Sequence, residues 1–329
     1  MRRREFLLTT AGAGALAAAG ARVSHAAAMA PPARQAAALA RVAIMTLNFH
    51  ALLKLPDQPS SPERNLDVLE LPEMYADTYR VHNLEWQHYH LPSSEPSFYK
   101  EVRARVDKAK SRVSQVVVEF SGLNISAPPH NFLPRQQAID LTSIWIDRCV
   151  VLGSPRIMVN QGMLTRDNMP VAVETLEAMV AYGKARGVKV TLETRGGGPA
   201  RGAAPAAGAA VPAPGAPAAA PAAPAPGPGP ASPPEPAWVV LNDLIRAAGA
   251  YSNIDLGGIG AADQEQLHTA LATLLEVTSG SMHIKQSQNW DLPTALRFIA
   301  SKKYDGLYSI EARGHELTRA IYDAILANI

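Results

Sequence analysis

Four side chains that can bind metal ions or transfer protons follow short apolar runs in the second half of the sequence. They are Glu193, Asp255, His283 and Glu311. The run before Glu193, at 188–192, is rich in β-branched residues, which predicts a buried strand. A side chain at the last residue of such a strand lies at the mouth of a sheet. Two Glu, one Asp and one His placed in this way predict a site for a divalent metal ion.

Each of these residues also has an ordinary structural explanation when it is taken alone. An Asp after a strand commonly caps a helix or forms a turn. His283 fits a buried histidine with satisfied hydrogen bonds, and Glu311 fits an ion pair with Lys303 or Arg313. The case for a metal site rests on one such residue at the end of each of four successive strands. Mn²⁺, Mg²⁺, Co²⁺ and Zn²⁺ all accept these ligands.

The elements that position these residues alternate between strand and helix. Strands are predicted at 42–45, 81–90, 113–120, 156–160, 188–193, 253–256, 281–285 and 306–311, and helices at 66–79, 97–111, 135–152, 169–186, 238–248, 264–276, 292–300 and 315–327. Such alternation favours an α/β fold with a parallel sheet, and eight repeats favour a closed (β/α)8 TIM barrel. The active site of a TIM barrel lies where the strands end, so the four side chains are expected to converge on its mouth.

Three segments fall outside this repeat. Residues 1–28 are predicted to be an export signal, because RRREFLL at 2–8 resembles the twin-arginine pattern and an apolar Ala- and Gly-rich stretch follows. An ordinary secretory signal or a disordered basic tail is the alternative. Residues 29–40 are predicted to be a linker before a barrel domain at 41–329. Within that domain, 196–236 is mostly Ala, Pro and Gly, which predicts a disordered insertion after the fifth strand, with a lid as the alternative.

Charge and composition exclude several classes of protein. The 329 residues carry a formal net charge of +2, and residues 1–28 contain four Arg and one Glu, so the remainder is close to neutral. A near-neutral surface argues against a nucleic-acid partner. The single cysteine, Cys149, excludes an intrachain disulfide. No later apolar run is long enough for a stable membrane anchor, and a homo-oligomer remains open. The predicted location is periplasmic or extracellular.

Four motifs give the chain a resemblance to a known family. They are Leu192-Glu193, Asn253-Ile254-Asp255-Leu256-Gly257, His283-Ile284-Lys285 and Gly306-Leu307-Tyr308-Ser309-Ile310-Glu311. With these motifs the chain, over roughly 41–327 apart from the insertion, resembles the sugar phosphate isomerase/epimerase family of xylose isomerase-like TIM barrels. The resemblance implies that Glu193, Asp255, His283 and Glu311 bind the metal, and that the two glutamates also move the proton.

The chain departs from the family pattern at two points. Many members follow the first glutamate with Asn-His, where this chain has Thr194-Arg195. The usual Asp-x-Gly-Asn turn reads Asp255-Leu256-Gly257-Gly258 here. Both changes alter the rim of the site, so the family's substrates do not transfer to this chain.

The predicted chemistry is proton transfer beside a carbonyl group. A divalent ion bound to a ketose acidifies the C–H next to the carbonyl and stabilises the ene-diolate. Carboxylates on opposite faces of that carbon, here Glu193 and Glu311, can then remove and return a proton. The predicted function is therefore a metal-dependent isomerase or epimerase of a sugar or sugar-like polyol.

Polar residues at other strand ends are predicted to bind a carbohydrate substrate. They are Glu85, His88, His90, Asn160, Lys285 and Arg195. For Glu85, His88 and His90, a solvated polar loop is the alternative. Lys285 has the alternative of neutralising the carboxylates. Arg195 is expected to pair with an anionic group of the substrate or with Asp255.

Other functions are compatible with the same residues. A lyase or hydrolase of 3-keto-glycosides would remove a proton beside the keto group and expel the aglycone by β-elimination. A non-catalytic sugar-binding barrel would keep its ligand in the presence of a chelator. A DNA-repair barrel of the endonuclease IV type needs more histidines and a more basic surface than this chain has. Export favours a free or oxidised sugar over a sugar phosphate.

Overall fold

The structure, a computed structural model, describes residues 33–119, 125–127, 132–195 and 235–329, in which eight strands close into a parallel barrel. The strands are β1 (Val42–Met45), β2 (Asn83–Gln87), β3 (Arg112–Val117), β4 (Arg156–Val159), β5 (Lys189–Glu193), β6 (Tyr251–Asp255), β7 (Thr278–Ile284) and β8 (Leu307–Ile310). Each strand pairs with the next along the chain, and β8 pairs with β1. The predicted (β/α)8 TIM barrel is confirmed.

Helices connect the strands around the outside of this barrel. They are α1 (Ala33–Leu39), α2 (Leu71–Tyr79), α3 (Pro96–Lys108), α4 (Leu133–Leu152), α5 (Met169–Ala185), α6 (Ala237–Ala248), α7 (Gln264–Leu274), α8 (Leu292–Ser301) and α9 (Gly314–Asn328). After α1, one of these helices follows each strand. None of the described helices has the length and apolar character needed to cross a membrane.

Side chains alternate between the two faces of the strands and so form two packed regions. Outward-facing residues such as Ile44, Val116 and Ile254 belong to the main core between strands and helices. A small separate cluster contains Met45, Leu47, Val117 and Met158. The rest of the barrel interior holds buried polar side chains, and these residues build the site described below.

The segment predicted to be a linker is partly helical. Residues 29–40 include α1, because an alanine-rich sequence has a high intrinsic helix propensity. Ala38 is buried, Leu39 packs against the main core, and α1 lies against α9. Part of the predicted linker, Ala33–Leu39, is therefore a helix that packs against the barrel, and the bounds of the linker stay a prediction.

The second predicted strand is shorter in the structure than in the sequence-based prediction. It ends at Gln87, and His88–His90 form a single 3-10 turn at the mouth of the barrel. A similar 3-10 segment, Thr46–Leu52, follows β1. At 88–90 polar side chains follow the buried strand residues, and the chain turns there.

Two predicted segments lie outside the described residues. The export signal at 1–28 and the Ala/Pro/Gly-rich insertion, of which 196–234 is not described, therefore stay predictions. The described chain reaches the insertion at Arg195, directly after β5, and resumes at Glu235, directly before α6.

Candidate metal centre and active site

The carboxyl ends of β5 to β8 place the predicted ligands at one face of the barrel. Glu193 and Asp255 are the last residues of their strands, His283 is the next-to-last residue of β7, and Glu311 directly follows β8. The pairing register sets Asp255 opposite His283, and His283 opposite Ser309. Side chains from four strands therefore meet at similar depth in the mouth.

Three of the four predicted ligands converge. One ligand atom each from Glu193, His283 and Glu311 lies within 4.8 Å of the others. His283 Nδ1 is 2.8 Å from Glu193 Oε1 and 3.2 Å from Glu311 Oε2. The carboxylate of Asp255 is not part of this group, because its Oδ2 lies 2.7 Å from Lys285 Nζ.

The three converging residues fit a divalent cation. Glu311 Oε2 is buried, and His283 Nδ1, 3.2 Å away, is not placed to donate a hydrogen bond to it. A buried carboxylate oxygen that lacks a hydrogen bond is costly. Two carboxylates and an imidazole nitrogen are a common ligand set for Zn²⁺ and Mn²⁺. A cation that met this oxygen together with Glu193 Oε1 and His283 Nδ1 would remove that cost.

The second ring nitrogen of His283 is held from inside the barrel. His283 Nε2 lies 2.6 Å from Glu85 Oε1, and both side chains are fully buried. Gln115 donates to the same oxygen at 2.9 Å and to Asn253 Oδ1 at 3.1 Å. Metal-binding histidines generally have their other nitrogen fixed in this way. The structure thus places Glu85, predicted to contact substrate, behind His283 in the barrel interior.

Charges in this buried cluster set where protons reside. Burial disfavours an imidazolium, but Glu85, Glu193 and Glu311 outweigh burial and raise the pKa of His283 well above its usual value. Burial likewise disfavours the carboxylate of Glu311, yet the nearby His283 and Lys285 lower its pKa to about 2. Without a metal ion, an imidazolium between carboxylates is the consequence.

Lys285 joins two of the carboxylates. Its Nζ lies 2.7 Å from Asp255 Oδ2 and 2.8 Å from Glu311 Oε1. Burial raises the pKa of Asp255 to about 6, although Lys285 acts in the opposite direction. The Lys285 ammonium group thus lies between two of the predicted ligands, as expected for a residue that neutralises the carboxylates.

Thr194 and Arg195, the residues that depart from the family pattern, both have defined contacts. The Thr194 hydroxyl donates to Asp255 O at 2.9 Å and accepts from Asp255 N at 2.8 Å. Arg195 Nε donates to Glu193 Oε2 at 2.9 Å, and its terminal nitrogen pairs with Glu119 Oε1. Arg195 therefore orients Glu193, and the alternative that it pairs with Asp255 is wrong.

The remaining predicted substrate-binding residues lie at the ends of β2 and β4. His88 Nδ1 accepts a hydrogen bond from the backbone N–H of Glu119 at 3.2 Å, and burial lowers its pKa to about 4. Asn160 follows β4, and its Oδ1 is buried without a hydrogen-bond partner among the described residues. Asn160 thus retains an acceptor for a ligand.

Sequence reasoning missed several polar residues of this site. Gln115 and Asn253 lie inside β3 and β6, where alternation assigns them to the barrel interior, so the pattern contained a signal for both. Glu119 lies beyond the end of β3 and carried no such signal. Glu119 belongs to the site because the Arg195 side chain pairs with it across the mouth.

Comparisons with solved structures support the fold. A D-psicose 3-epimerase from Clostridium cellulolyticum H10, solved with D-tagatose, is 12% identical over 86% of this chain and 89% of its own, with a TM-score of 0.59. A 3-keto-D-glucoside 4-epimerase from E. coli is 12% identical over 88% of this chain and 99% of its own, with a TM-score of 0.58.

A third similar structure is a xylose isomerase domain protein from Planctomyces limnophilus. It is 13% identical over 87% of this chain and 94% of its own, with a TM-score of 0.55. No protein-family model matches the sequence, and no match was found among the curated proteins. At these identities the similarity shows a shared (β/α)8 barrel fold.

Proposed function

We propose that this protein is a divalent-metal-dependent isomerase or epimerase of a sugar or sugar-like polyol. The observation that carries the proposal is the convergence of Glu193, His283 and Glu311 at the mouth of the barrel. The fold adds support, because similar barrels include enzymes named as ketose 3-epimerases and a 3-keto-glucoside 4-epimerase.

The residues assigned to the metal are Glu193, His283 and Glu311, with Asp255 as the fourth ligand that the family resemblance implies. A divalent ion bound there would supply a Lewis acid that polarises a substrate carbonyl. Asp255 Oδ2 is in contact with Lys285 Nζ. Its other oxygen, Oδ1, accepts a hydrogen bond from the backbone N–H of Gly257 at 3.0 Å.

Glu193 and Glu311 are proposed to carry the proton. One carboxylate takes the proton from the carbon beside the carbonyl, the electron pair of the broken C–H bond forms a C=C bond, and the π pair of the carbonyl moves onto its oxygen to give the ene-diolate. The other glutamate returns a proton to the opposite face of the same carbon. It must first take up that proton, because the pKa of both carboxyl groups lies below its usual value in this structure. The charge on each carboxylate changes by one, and their roles are exchanged in the reverse reaction.

Residues around the glutamates hold them in position for this transfer. Arg195 fixes Glu193 from one side, and His283 Nδ1 lies between Glu193 and Glu311. Lys285 fixes the other oxygen of Glu311. Each reacting carboxylate thus has one oxygen tied to a cationic side chain.

We also infer that the protein works outside the cytoplasm on a free or oxidised sugar. This inference rests on the twin-arginine-like string at 2–8 and the apolar stretch after it. Phosphorylated sugars are largely cytoplasmic metabolites, so an exported enzyme favours an unphosphorylated carbohydrate. Detection of the mature protein in a periplasmic fraction would support the inference, and retention of an uncleaved chain in the cytoplasm would contradict it.

The activity is tested by exchange of substrate hydrogen with solvent. Metal-loaded protein in D₂O is incubated with D-tagatose, D-allulose and a 3-keto-glucoside, and the sugars are analysed by NMR. We expect deuterium at the carbon beside the carbonyl, together with an epimer or isomer. Release of the aglycone would instead identify a lyase. Sugar binding that survives chelation, without any exchange, would indicate a binding protein and refute the proposal.

A further inference from the structure

A chain of hydrogen bonds runs from the barrel wall to the mouth on the side of β1 and β2. The buried Thr46 hydroxyl oxygen accepts the backbone N–H of Gln87 at 3.0 Å. His90 Nδ1 lies 2.8 Å from the same oxygen, and His90 Nε2 lies 2.8 Å from His50 Nδ1. Thr46 and His90 are fully buried, whereas His50 is partly exposed.

Only one arrangement of protons gives every buried polar group in this series of hydrogen bonds a partner. No other acceptor for the Thr46 hydroxyl hydrogen exists among the described residues, so the hydroxyl donates to His90 Nδ1. A neutral His90 then carries its proton on Nε2 and donates to His50 Nδ1. A neutral His50 in turn carries its proton on Nε2. If His90 Nδ1 donated to Thr46 instead, the buried hydroxyl hydrogen of Thr46 would have no acceptor, which is unfavourable.

The surroundings keep these rings neutral. Burial, followed by the nearby His50, His88 and Arg313, lowers the pKa of His90 to about 3. Burial and the nearby Arg64 and Arg313 also lower the pKa of His50, against an opposing effect of Asp57. Both rings are therefore neutral at neutral pH, and each carries its single proton on Nε2.

The backbone and the ring of His50 are both fixed at the mouth. Arg64 donates to the carbonyl oxygen of His50 at 3.3 Å, and the edge of the Tyr89 ring packs against the imidazole at 6.0 Å between centroids. Arg313, two residues after Glu311, donates to Leu47 O in the same 3-10 segment at 3.1 Å. The segment that carries His50 is therefore attached to the chain that follows Glu311.

We propose that Thr46 and His90 hold His50 as an Nε2–H donor to a carbonyl or hydroxyl oxygen of the substrate. His50 Nε2 makes no hydrogen bond to any described residue, and the ring lies after β1, across the eight-stranded barrel from β5 and Glu193. His50 is then a substrate-binding residue, and Thr46 and His90 are positioning residues. The inference rests on the proposed function, because the oxygen belongs to its carbohydrate substrate.

The tautomers are measured directly in the wild-type holoprotein by long-range ¹H–¹⁵N NMR of the histidine rings, assigned with the variants His50→Phe and His90→Asn. We expect a protonated Nε2 and an unprotonated Nδ1 for both His50 and His90. Addition of the turned-over sugar is expected to shift the His50 Nε2–H resonance. A protonated Nδ1 on His50, or a doubly protonated ring, would overturn the proposal whatever the activity of the enzyme.

Kinetics test the role in binding. His50→Phe and Thr46→Val are expected to raise KM about 3- to 10-fold with little change in kcat, as for the loss of one neutral hydrogen bond. Thr46→Ser keeps the hydroxyl donor and is expected to retain the wild-type KM. His268→Gln, on α7 outside the barrel, is the matched control. An unchanged KM in His50→Phe would refute the substrate role.

The two proposals fail in different ways. If the wild-type protein exchanges hydrogen in a sugar but His50→Phe leaves its KM unchanged, only the present inference is wrong. If no sugar undergoes exchange, the proposed function fails and the substrate role of His50 fails with it. The measured tautomers then still decide whether Thr46 and His90 orient the ring.

Discussion

Both ring nitrogens of His283 face carboxylates, so this residue determines the protonation of the whole site. Glu85 holds Nε2 from inside the barrel, and Glu193 and Glu311 lie beside Nδ1. The ring is therefore already oriented for the metal ion that we propose. The same carboxylates stabilise a proton on Nδ1, so a proton would compete with that ion.

Metal binding is therefore expected to release a proton. The raised pKa of His283 means that Nδ1 is protonated at neutral pH in the metal-free protein, so an ion must displace that proton and binds more tightly as pH rises. Calorimetric titration with Mn²⁺ at pH 7 in buffers of different ionisation enthalpy should give about one proton per ion. Glu85→Gln removes the charge that holds the proton and should reduce the release. A binding enthalpy independent of the buffer would contradict this account.

The two glutamates are expected to be indispensable for exchange. Glu193→Gln and Glu311→Gln each remove a proton acceptor while keeping the size of the side chain, and should lower the rate of deuterium exchange at least about 100-fold. Glu276→Gln is the matched control, because Glu276 is an exposed carboxylate that pairs with Arg246 away from the site. Near-normal exchange in either of the first two variants would remove that residue from the mechanism.

Residue types at the strand ends were predictable, but their partners were not. Short apolar runs fixed the positions of Glu193 and Asp255 at the ends of β5 and β6. Which carboxylate meets His283 and which meets Lys285 depends on side-chain reach across the mouth. The spacing of residues in a single sequence does not give the distances between these side chains. For the same reason, the hydrogen bonds that link Thr46, His90 and His50 were not predicted.

At the scale of elements, the two departures from the family pattern contact each other. Thr194 follows β5 and binds the backbone of Asp255 at the end of β6. A Cβ atom on Gly258 would lie only 1.9 Å from Thr194 O and 2.8 Å from Asp255 Oδ2. The turn after β6 thus packs so closely on the end of β5 that residue 258 needs to be glycine.

Substitution of this glycine should destabilise the site and the fold. We expect Gly258→Ala to reduce the free energy of unfolding by about 1–3 kcal/mol, because the clash involves a backbone carbonyl that has little room to move. Gly257→Ala is the matched control, since its Cβ would meet the flexible Lys285 side chain at 3.0 Å. Urea unfolding compares the two, and equal stability of both variants would show that the close approach is relaxed in solution.

Most element positions followed from periodicity to within a few residues. The helix predicted at 66–79, however, begins only at Leu71, after a 3-10 turn at Val68–Glu70. Polar residues at 88–90 extended the predicted second strand, whereas the chain turns after Gln87. Residues Ala33–Leu39 were assigned to a linker because of their composition, yet alanine favours a helix when α9 provides a surface to pack against. Packing against α9 accounts for the helix at Ala33–Leu39.

At the scale of the whole molecule, the barrel brings together residues from β2, β5, β7 and β8, although Glu85 and Glu311 are far apart in the sequence. The count of eight strand–helix repeats made this architecture predictable. The described residues of the site lie at the strand ends or in the segments just after them, and the insertion after β5 is predicted to take no part in the chemistry.

Shortening the insertion is therefore expected to preserve activity. Replacing residues 200–230 with about ten Gly and Ser keeps Arg195, which binds Glu193, and Glu235, which pairs with Arg166. We expect unchanged deuterium exchange and an unchanged melting temperature. A matched variant in which 200–230 is replaced by a Gly/Ser sequence of equal length controls for composition. If the shortened variant lost exchange and the variant of equal length kept it, the length of the segment would have a functional role.

The most direct test of the central claim is the anomalous scattering of crystals soaked in Mn²⁺. The account predicts one strong peak at the mouth of the barrel, within bonding distance of His283 Nδ1 and of carboxylate oxygens from Glu193 and Glu311. A peak at other residues, or none at these three side chains when Mn²⁺ is in excess, would contradict it.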